Sequence, residues 1–118
     1  MFTTKAIYDL EVIQKKASEI TRYTITYNED KLYNTKYRLL EILKKVNKLF
    51  YVLIDVDFLK NNEAYKSDIL GSIREIQSKL MNALANNNYE VDFASLVYST
   101  MSMIEKLALE NKLKITSP

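Results

Sequence analysis

Cysteine and histidine are absent from the 118 residues, and glycine and proline occur once each. Without cysteine there is no disulfide, no thiol nucleophile and no thiolate zinc site. Without histidine there is no imidazole general base and no His-dependent triad. The scarcity of glycine and proline excludes an all-β domain, which needs turn residues about every eight to twelve positions. Long apolar runs are missing too. The most apolar stretch, Leu49-Phe50-Tyr51-Val52-Leu53-Ile54, is six residues long and is followed by Asp55 and Asp57, whereas a membrane-spanning helix needs about twenty. Met1-Phe2-Thr3-Thr4-Lys5 leads into no apolar signal-peptide core. These absences lead us to expect a cytoplasmic protein with no transmembrane segment.

What is present reads as one all-α domain covering residues 1–118. The chain is 47% hydrophobic and 27% charged, a globular rather than a disordered balance. Thr3 or Thr4 can cap a first helix, whose stripe is Ala6, Leu10, Ile13, Ala17 and Ile20. That stripe is narrow enough to pack along one neighbour. From Thr21 to Tyr27 the pattern changes, with Tyr23, Ile25 and Tyr27 alternating with Arg22, Thr24 and Thr26. Alternation is the signature of a strand, but no partner strand exists, so a fraying helix end or extended linker is expected there. Asn28 is then the expected N-cap of a second helix running to about residue 60, with Glu29 and Asp30 favouring its positive end. Its core stripe is Leu39, Leu43, Val46, Phe50 and Leu53, and the all-round apolar stretch from Leu49 to Ile54 is expected to be enclosed.

Asn61-Asn62 separates this from a third helix, Glu63 to about Ala85, with Ile69, Ile73, Ile76, Leu80 and Leu84 inward. Asn86-Asn87-Asn88 is the clearest loop. Asp92 caps a fourth helix carrying Phe93, Val97, Met101, Ile104 and Ala108 on its inner face, and Lys112 and Lys114 suit its negative end. Short connections favour antiparallel neighbours, so the expected architecture is an antiparallel up-down four-helix bundle.

Residues suited to catalysis, to a metal or to a cofactor are hard to find. A phosphate-cradling loop needs glycines, and the single Gly71 falls inside the third helix, where a close helix contact is the expected role. Asp55 and Asp57 interrupt the apolar run, but on a helix they point about 200° apart. Metal binding would need further carboxylates such as Glu63 or Asp68. The chain is therefore read as non-enzymatic, with no metal and no cofactor.

The candidate surface is basic. Between Lys31 and Lys48 lie Lys31, Lys36, Arg38, Lys44, Lys45 and Lys48, against Glu41 alone. Lys31, Arg38 and Lys45 are spaced seven apart, Lys44 and Lys48 flank them, and Tyr33 and Tyr37 stand beside them. This stripe is expected to face water. It would suit phosphates or anionic headgroups, with the tyrosines stacking on bases, and equally a solvated face that keeps a bundle soluble. The net charge of +2 favours neither.

From Val46 to Ile115 the chain resembles the bacteriocin immunity proteins of lactic-acid bacteria, which are small cytoplasmic antiparallel four-helix bundles. The resemblance rests on Asp68-Ile69-Leu70 opening a helix and Leu80 closing its stripe. Glu90-Val91 and Leu96-Val97 follow, with Asn111-Lys112-Leu113-Lys114-Ile115 after the last helix. It implies protection by binding and blocking a partner protein. A second resemblance is to the small helical subunit of type III CRISPR effector complexes. It is carried by Thr35, Arg38-Leu39-Leu40 and Val46-Asn47-Lys48-Leu49-Phe50, and it implies a helix lining a nucleic-acid path. The expected function is thus a helical protein-interaction module. The alternative is a nucleic-acid-binding subunit, or a phage-type inhibitor, of a defence complex. Self-association into a homo-oligomer is compatible with either.

Overall fold

In a computed structural model that describes residues 4–55 and 63–116, most residues of the apolar stripes lie on the buried sides of helices. Helix α1 spans Thr4–Glu29, a 3-10 turn spans Lys31–Tyr33, α2 spans Lys36–Asp55, α3 spans Glu63–Ala85 and α4 spans Ala94–Thr116. No strand occurs among the described residues. α1 packs most extensively on α4, and α2 on α3, while α1 with α2 and α3 with α4 close the ring.

Side-chain pairs fix the helix directions. Glu19 of α1 meets Lys45 of α2, and the earlier Lys16 shares a hollow with the later Lys48. Gln77 of α3 meets Asn47 of α2, and the earlier Arg74 lies over Phe50. Near the start of α1, Glu11 pairs with Lys112 near the end of α4, while Tyr27 near the end of α1 tilts against Phe93 just before α4. Neighbours are antiparallel throughout, and the bundle is a rod of 50 × 23 × 19 Å.

The core is continuous. Leu10, Ile13, Ala17 and Ile20 of α1 join Leu39, Val46, Leu49 and Leu53 of α2. Ile69, Ile73, Ile76 and Leu80 of α3 and Phe93, Val97, Met101, Ile104 and Ala108 complete it. Ile42, Leu49 and Ala83 are buried although the expected stripes omit them; Phe50 and Leu84 are only half-buried. A globular helix buries a face wider than an a/d seam, so the true face takes in Ile42 and Leu49.

Several local expectations are corrected. Thr21–Tyr27 is helical, and α1 continues to Glu29. Thr24 and Tyr27 continue the buried stripe from Ile20, a spacing of four and three that the alternating tyrosines mask. The hydroxyls of Thr21 and Thr26 donate to the Ala17 and Arg22 carbonyls, at 3.1 and 3.2 Å, so these β-branched residues satisfy themselves inside the helix. Asn28 therefore caps nothing. Instead Asp30 caps the 3-10 turn by accepting from the Leu32 amide at 3.0 Å, and Thr35 accepts from the Arg38 amide at 3.3 Å, opening α2.

The stretch from Leu49 to Ile54 is not enclosed, since Tyr51 is 69% exposed and Ile54 37%. Gly71 makes no close helix contact; a Cβ there would meet open space. At the fourth helix Phe93, not Asp92, takes the N-cap position, because its carbonyl accepts the first helical bond from Val97. α3 spans Glu63–Ala85 as expected, so the Asp68-Ile69-Leu70 of the resemblance lies inside that helix rather than opening it, and Asn111–Ile115 lies within α4 rather than after it. Asp57 and the expected turn Asn61-Asn62 lie outside the described residues.

The Asn86–Asn88 loop forms as expected. Asn87 takes the left-handed conformation, with φ 52°, which asparagine tolerates better than other side-chain-bearing residues. The Asn88 amide donates to Ala83 O at 2.9 Å, and the Asn87 amide reaches Leu84 O at 3.4 Å. Together these form a Schellman stop for α3.

Candidate functional site

Two of the three residues in the expected stripe do not simply face water. Lys31 and Tyr33 belong to the 3-10 turn, ahead of α2, and Lys31 is exposed. Arg38 and Lys45 lie on the flank of α2 that turns toward α1. Lys44 and Lys48 are exposed, and Tyr37 is 70% exposed. The seven-residue spacing therefore does not produce one continuous helical stripe, because the helix starts only at Lys36.

Lys45 donates to Glu19 Oε1 and stands 4.6 Å from the centre of the Tyr23 ring. The hydrogen bond to Glu19 holds the Lys45 ammonium above its ordinary range, against an opposing effect of burial. The same bond holds the Glu19 carboxyl below its ordinary range. This cation is already matched by an anion of the fold. Beside it, Lys16, Glu19, Lys45 and Lys48 line a hollow of about 180 Å³.

Arg38 is placed differently. Its guanidinium carbon lies 4.8 Å from the Tyr33 ring centre and 5.8 Å from that of Tyr37, a stack that the planar guanidinium favours. Glu41 is 3.6 Å away one turn on. That is an ion-pair distance but too long for a hydrogen bond, and Glu41 Oε2 is buried without a hydrogen-bond partner among the described residues. On α1, Arg22 lies 5.8 Å from the Tyr23 ring. Arg22, Tyr23, Thr26 and Tyr27 of α1, with Tyr33, Arg38 and Ile42, line an open cavity of about 260 Å³.

Tyr27 anchors the cavity floor. The Tyr27 hydroxyl donates to the Tyr89 carbonyl, and its ring tilts against Phe93 with centres 5.5 Å apart. Burial, and then the neighbouring Tyr89, pushes the Tyr27 phenol up to about 12. Tyr27 is thus a neutral donor tying α1 to the segment before α4.

Arg22, Tyr23 and Tyr27 are absent from the expected set, because they fall in the segment whose alternation suggests a strand. Read with a helical period, residues 16, 19, 23 and 26 lie on one flank of α1, and that flank faces α2. Lys16 and Arg22 thereby join Arg38, Lys45 and Lys48, against Glu19 and Glu41. This flank can hold an anion and a planar ring. Among the described residues no group of three or more acidic side chains is placed to hold a metal ion, and Asp55 is an exposed residue at the end of α2. No helix of the described residues is long and apolar enough to cross a membrane. Comparison with known proteins finds no family model, no curated protein and no solved structure that matches this chain.

Proposed function

We propose that this chain is a small non-enzymatic helical module that acts by occupying a partner protein. The observation that carries this reading is a group of six exposed apolar side chains at one end of the rod, larger than the group formed by Ile25, Leu32, Tyr37 and Met81 at the other. Tyr8 near the start of α1, Tyr51 and Ile54 near the end of α2, Tyr65 near the start of α3, and Leu109 and Leu113 near the end of α4 are all exposed. In an antiparallel bundle these positions gather at one end of the rod. Aromatic residues are enriched at protein interfaces, and grouped exposed apolar residues mark interaction sites where scattered ones do not.

Immunity of the bacteriocin type, in the cytoplasm, is the sharpest form of this proposal. Its support is the resemblance over residues 46–115, which contains five of those six side chains. The test is protection. Producing the chain in a bacteriocin-sensitive lactic-acid bacterium should raise survival, and changing Tyr51 and Leu113 to Ser should remove the protection while the helical spectrum persists. Survival unchanged by the chain would end the immunity form. A Ser variant that still captures the same partner proteins from the native host would end the interaction-face reading.

A second reading, as a nucleic-acid-binding subunit, is favoured by the crowding of cations on the α1–α2 flank. Nuclease treatment separates the two: partners that vanish with nuclease support the second reading.

A further inference from the structure

The two guanidiniums of the α1–α2 groove have uncommitted donors. Arg22 makes a ring contact but neither an ion pair nor a hydrogen bond to the described residues, and Arg38 approaches Glu41 only at 3.6 Å. Each guanidinium carries five N–H donors in a fork that matches phosphate. Lys45 differs, since Glu19 already occupies it. Two guanidiniums on different helices line one cavity with N–H donors that make no hydrogen bond to the described residues, although Arg38 is ion-paired with Glu41, and together they form a phosphate-recognition element.

The walls restrict the ligand further. Tyr23 and Tyr33 present rings beside the two arginines, and Thr26 adds a hydroxyl to the lining. Ligand pockets are typically about 300–1,000 Å³, so a cavity of about 260 Å³ suits one planar ring and one phosphate. We propose that the groove lined by Arg22, Tyr23, Thr26, Tyr33 and Arg38 binds one nucleotide unit. The guanidiniums take its phosphate and a tyrosine ring takes its base. This rests on the nucleic-acid reading above only for the source of the nucleotide. A free mononucleotide and one residue of a single strand share the chemistry. For a strand, the cation track continues past Lys45 to Lys16 and Lys48.

Titration calorimetry with the full chain tests this, using 5′-AMP, adenosine, inorganic phosphate and a short single-stranded oligoadenylate. AMP should bind, and adenosine and inorganic phosphate should each bind about tenfold more weakly or worse, since each loses one half of the recognition. Arg22→Gln and Arg38→Gln should each weaken AMP by about tenfold or more, the size of a lost charge-assisted contact. Arg38→Lys should restore only part of it, because the ammonium lacks the fork. Lys31→Gln and Lys44→Gln, outside the groove, should leave it unchanged, and melting curves check that every variant folds. Oligoadenylate binding more tightly than AMP, and weakened selectively by Lys16→Gln and Lys48→Gln, identifies the strand as the source; equal affinities identify the mononucleotide.

Phosphate binding as well as AMP overturns the nucleotide assignment, as does AMP binding that ignores both arginines. Oligoadenylate binding that survives both Gln changes overturns this site and leaves the nucleic-acid reading standing. AMP binding without oligoadenylate binding does the reverse.

Discussion

Helix α1 meets α4 on one side and α2 on the other, and the two seams are built differently. Toward α4 the contact is the most extensive in the molecule, and polar ties lie near both of its ends. Glu11 meets Lys112 at 3.0 Å near one, and the Tyr27 hydroxyl meets the Tyr89 carbonyl near the other. Toward α2 the apolar core is flanked along its length by Arg22, Tyr23, Arg38, Glu19, Lys45 and Lys48, with two hollows between them. Dry, close-packed seams give stability. Donors left without hydrogen bonds beside a hollow do little for stability and much for recognition, so we place the fold's strength on the α4 side and the proposed ligand chemistry on the α2 side.

The largest expected effect sets these seams against each other. Ile104 lies on the buried face of α4 at 1% exposure, and Ile42, equally buried, forms a wall of the open groove. Truncating a buried Ile to Ala costs about 2–5 kcal/mol, depending on how the void relaxes. Ile104→Ala should fall in the upper part of that range, because water cannot fill its void. Ile42→Ala should fall in the lower part, because its void opens into the groove. Chemical denaturation of both variants decides it, and an equal or reversed order would remove the contrast between the seams.

Tyr27 comes next. Phe in its place keeps the ring on Phe93 but leaves the Tyr89 carbonyl without its donor, a loss of about 0.5–1.5 kcal/mol. The pH dependence has a definite sign. Because the folded phenol titrates at about 12 and an unfolded one near about 10, the folded state keeps a proton that the unfolded state releases. Stability therefore falls as pH rises from 10 toward 12. Tyr27→Phe should lose that part of the alkaline slope, measured as melting temperature against pH. An unchanged slope would mean the hydroxyl is not held as described.

How much of this was legible beforehand differs along the chain. α3 and α4 follow their stripes because Ile69, Ile73, Ile76 and Leu80, and then Val97, Met101, Ile104 and Ala108, are unbroken series at helical spacing. The bundle itself was legible for the same reason. The end of α1 was not, because β-branched and aromatic residues fall there in an alternating order. The buried Thr24 and Tyr27 show the helical period only once the packing partner is known. The groove inherited that error, since half of it comes from the misread segment. Its other half, Arg38 and Tyr33, stood out as basic and aromatic neighbours, but the pairing of Arg38 with Glu41 and the turn of both residues toward α1 depend on where α2 starts.

Gly71 shows the opposite failure, a role assigned by position where none exists. Because a Cβ there meets nothing within 4 Å and the residue sits in mid-helix, Gly71→Ala should stabilise by about 0.5–1 kcal/mol through reduced backbone entropy. A loss of stability would restore the close contact.

The smallest effect sharpens the comparison most, because it compares like with like across the two seams. Glu19–Lys45 and Glu11–Lys112 are both interhelical ion pairs, but Glu19 and Lys45 are 31% and 27% exposed while Glu11 is 54% exposed. Exposed pairs couple by about 0.2–1 kcal/mol, and Glu19–Lys45 should lie near the top of that range. Double-mutant cycles with Gln at each position measure both. The Glu19 carboxyl is depressed in the folded state, so its contribution is full above the unfolded value of 4.5 and fades as pH falls through the folded one. The Lys45 ammonium is raised, so its contribution is full below 10.5 and fades as pH rises through the folded value. The coupling should therefore hold level across neutral pH and decline at both extremes. It should also survive salt better than Glu11–Lys112, because partly buried charges are screened less. If Glu11–Lys112 couples more strongly, the α2 flank does not hold its cations, and Lys45 joins Arg22 and Arg38 as a group free to meet a ligand.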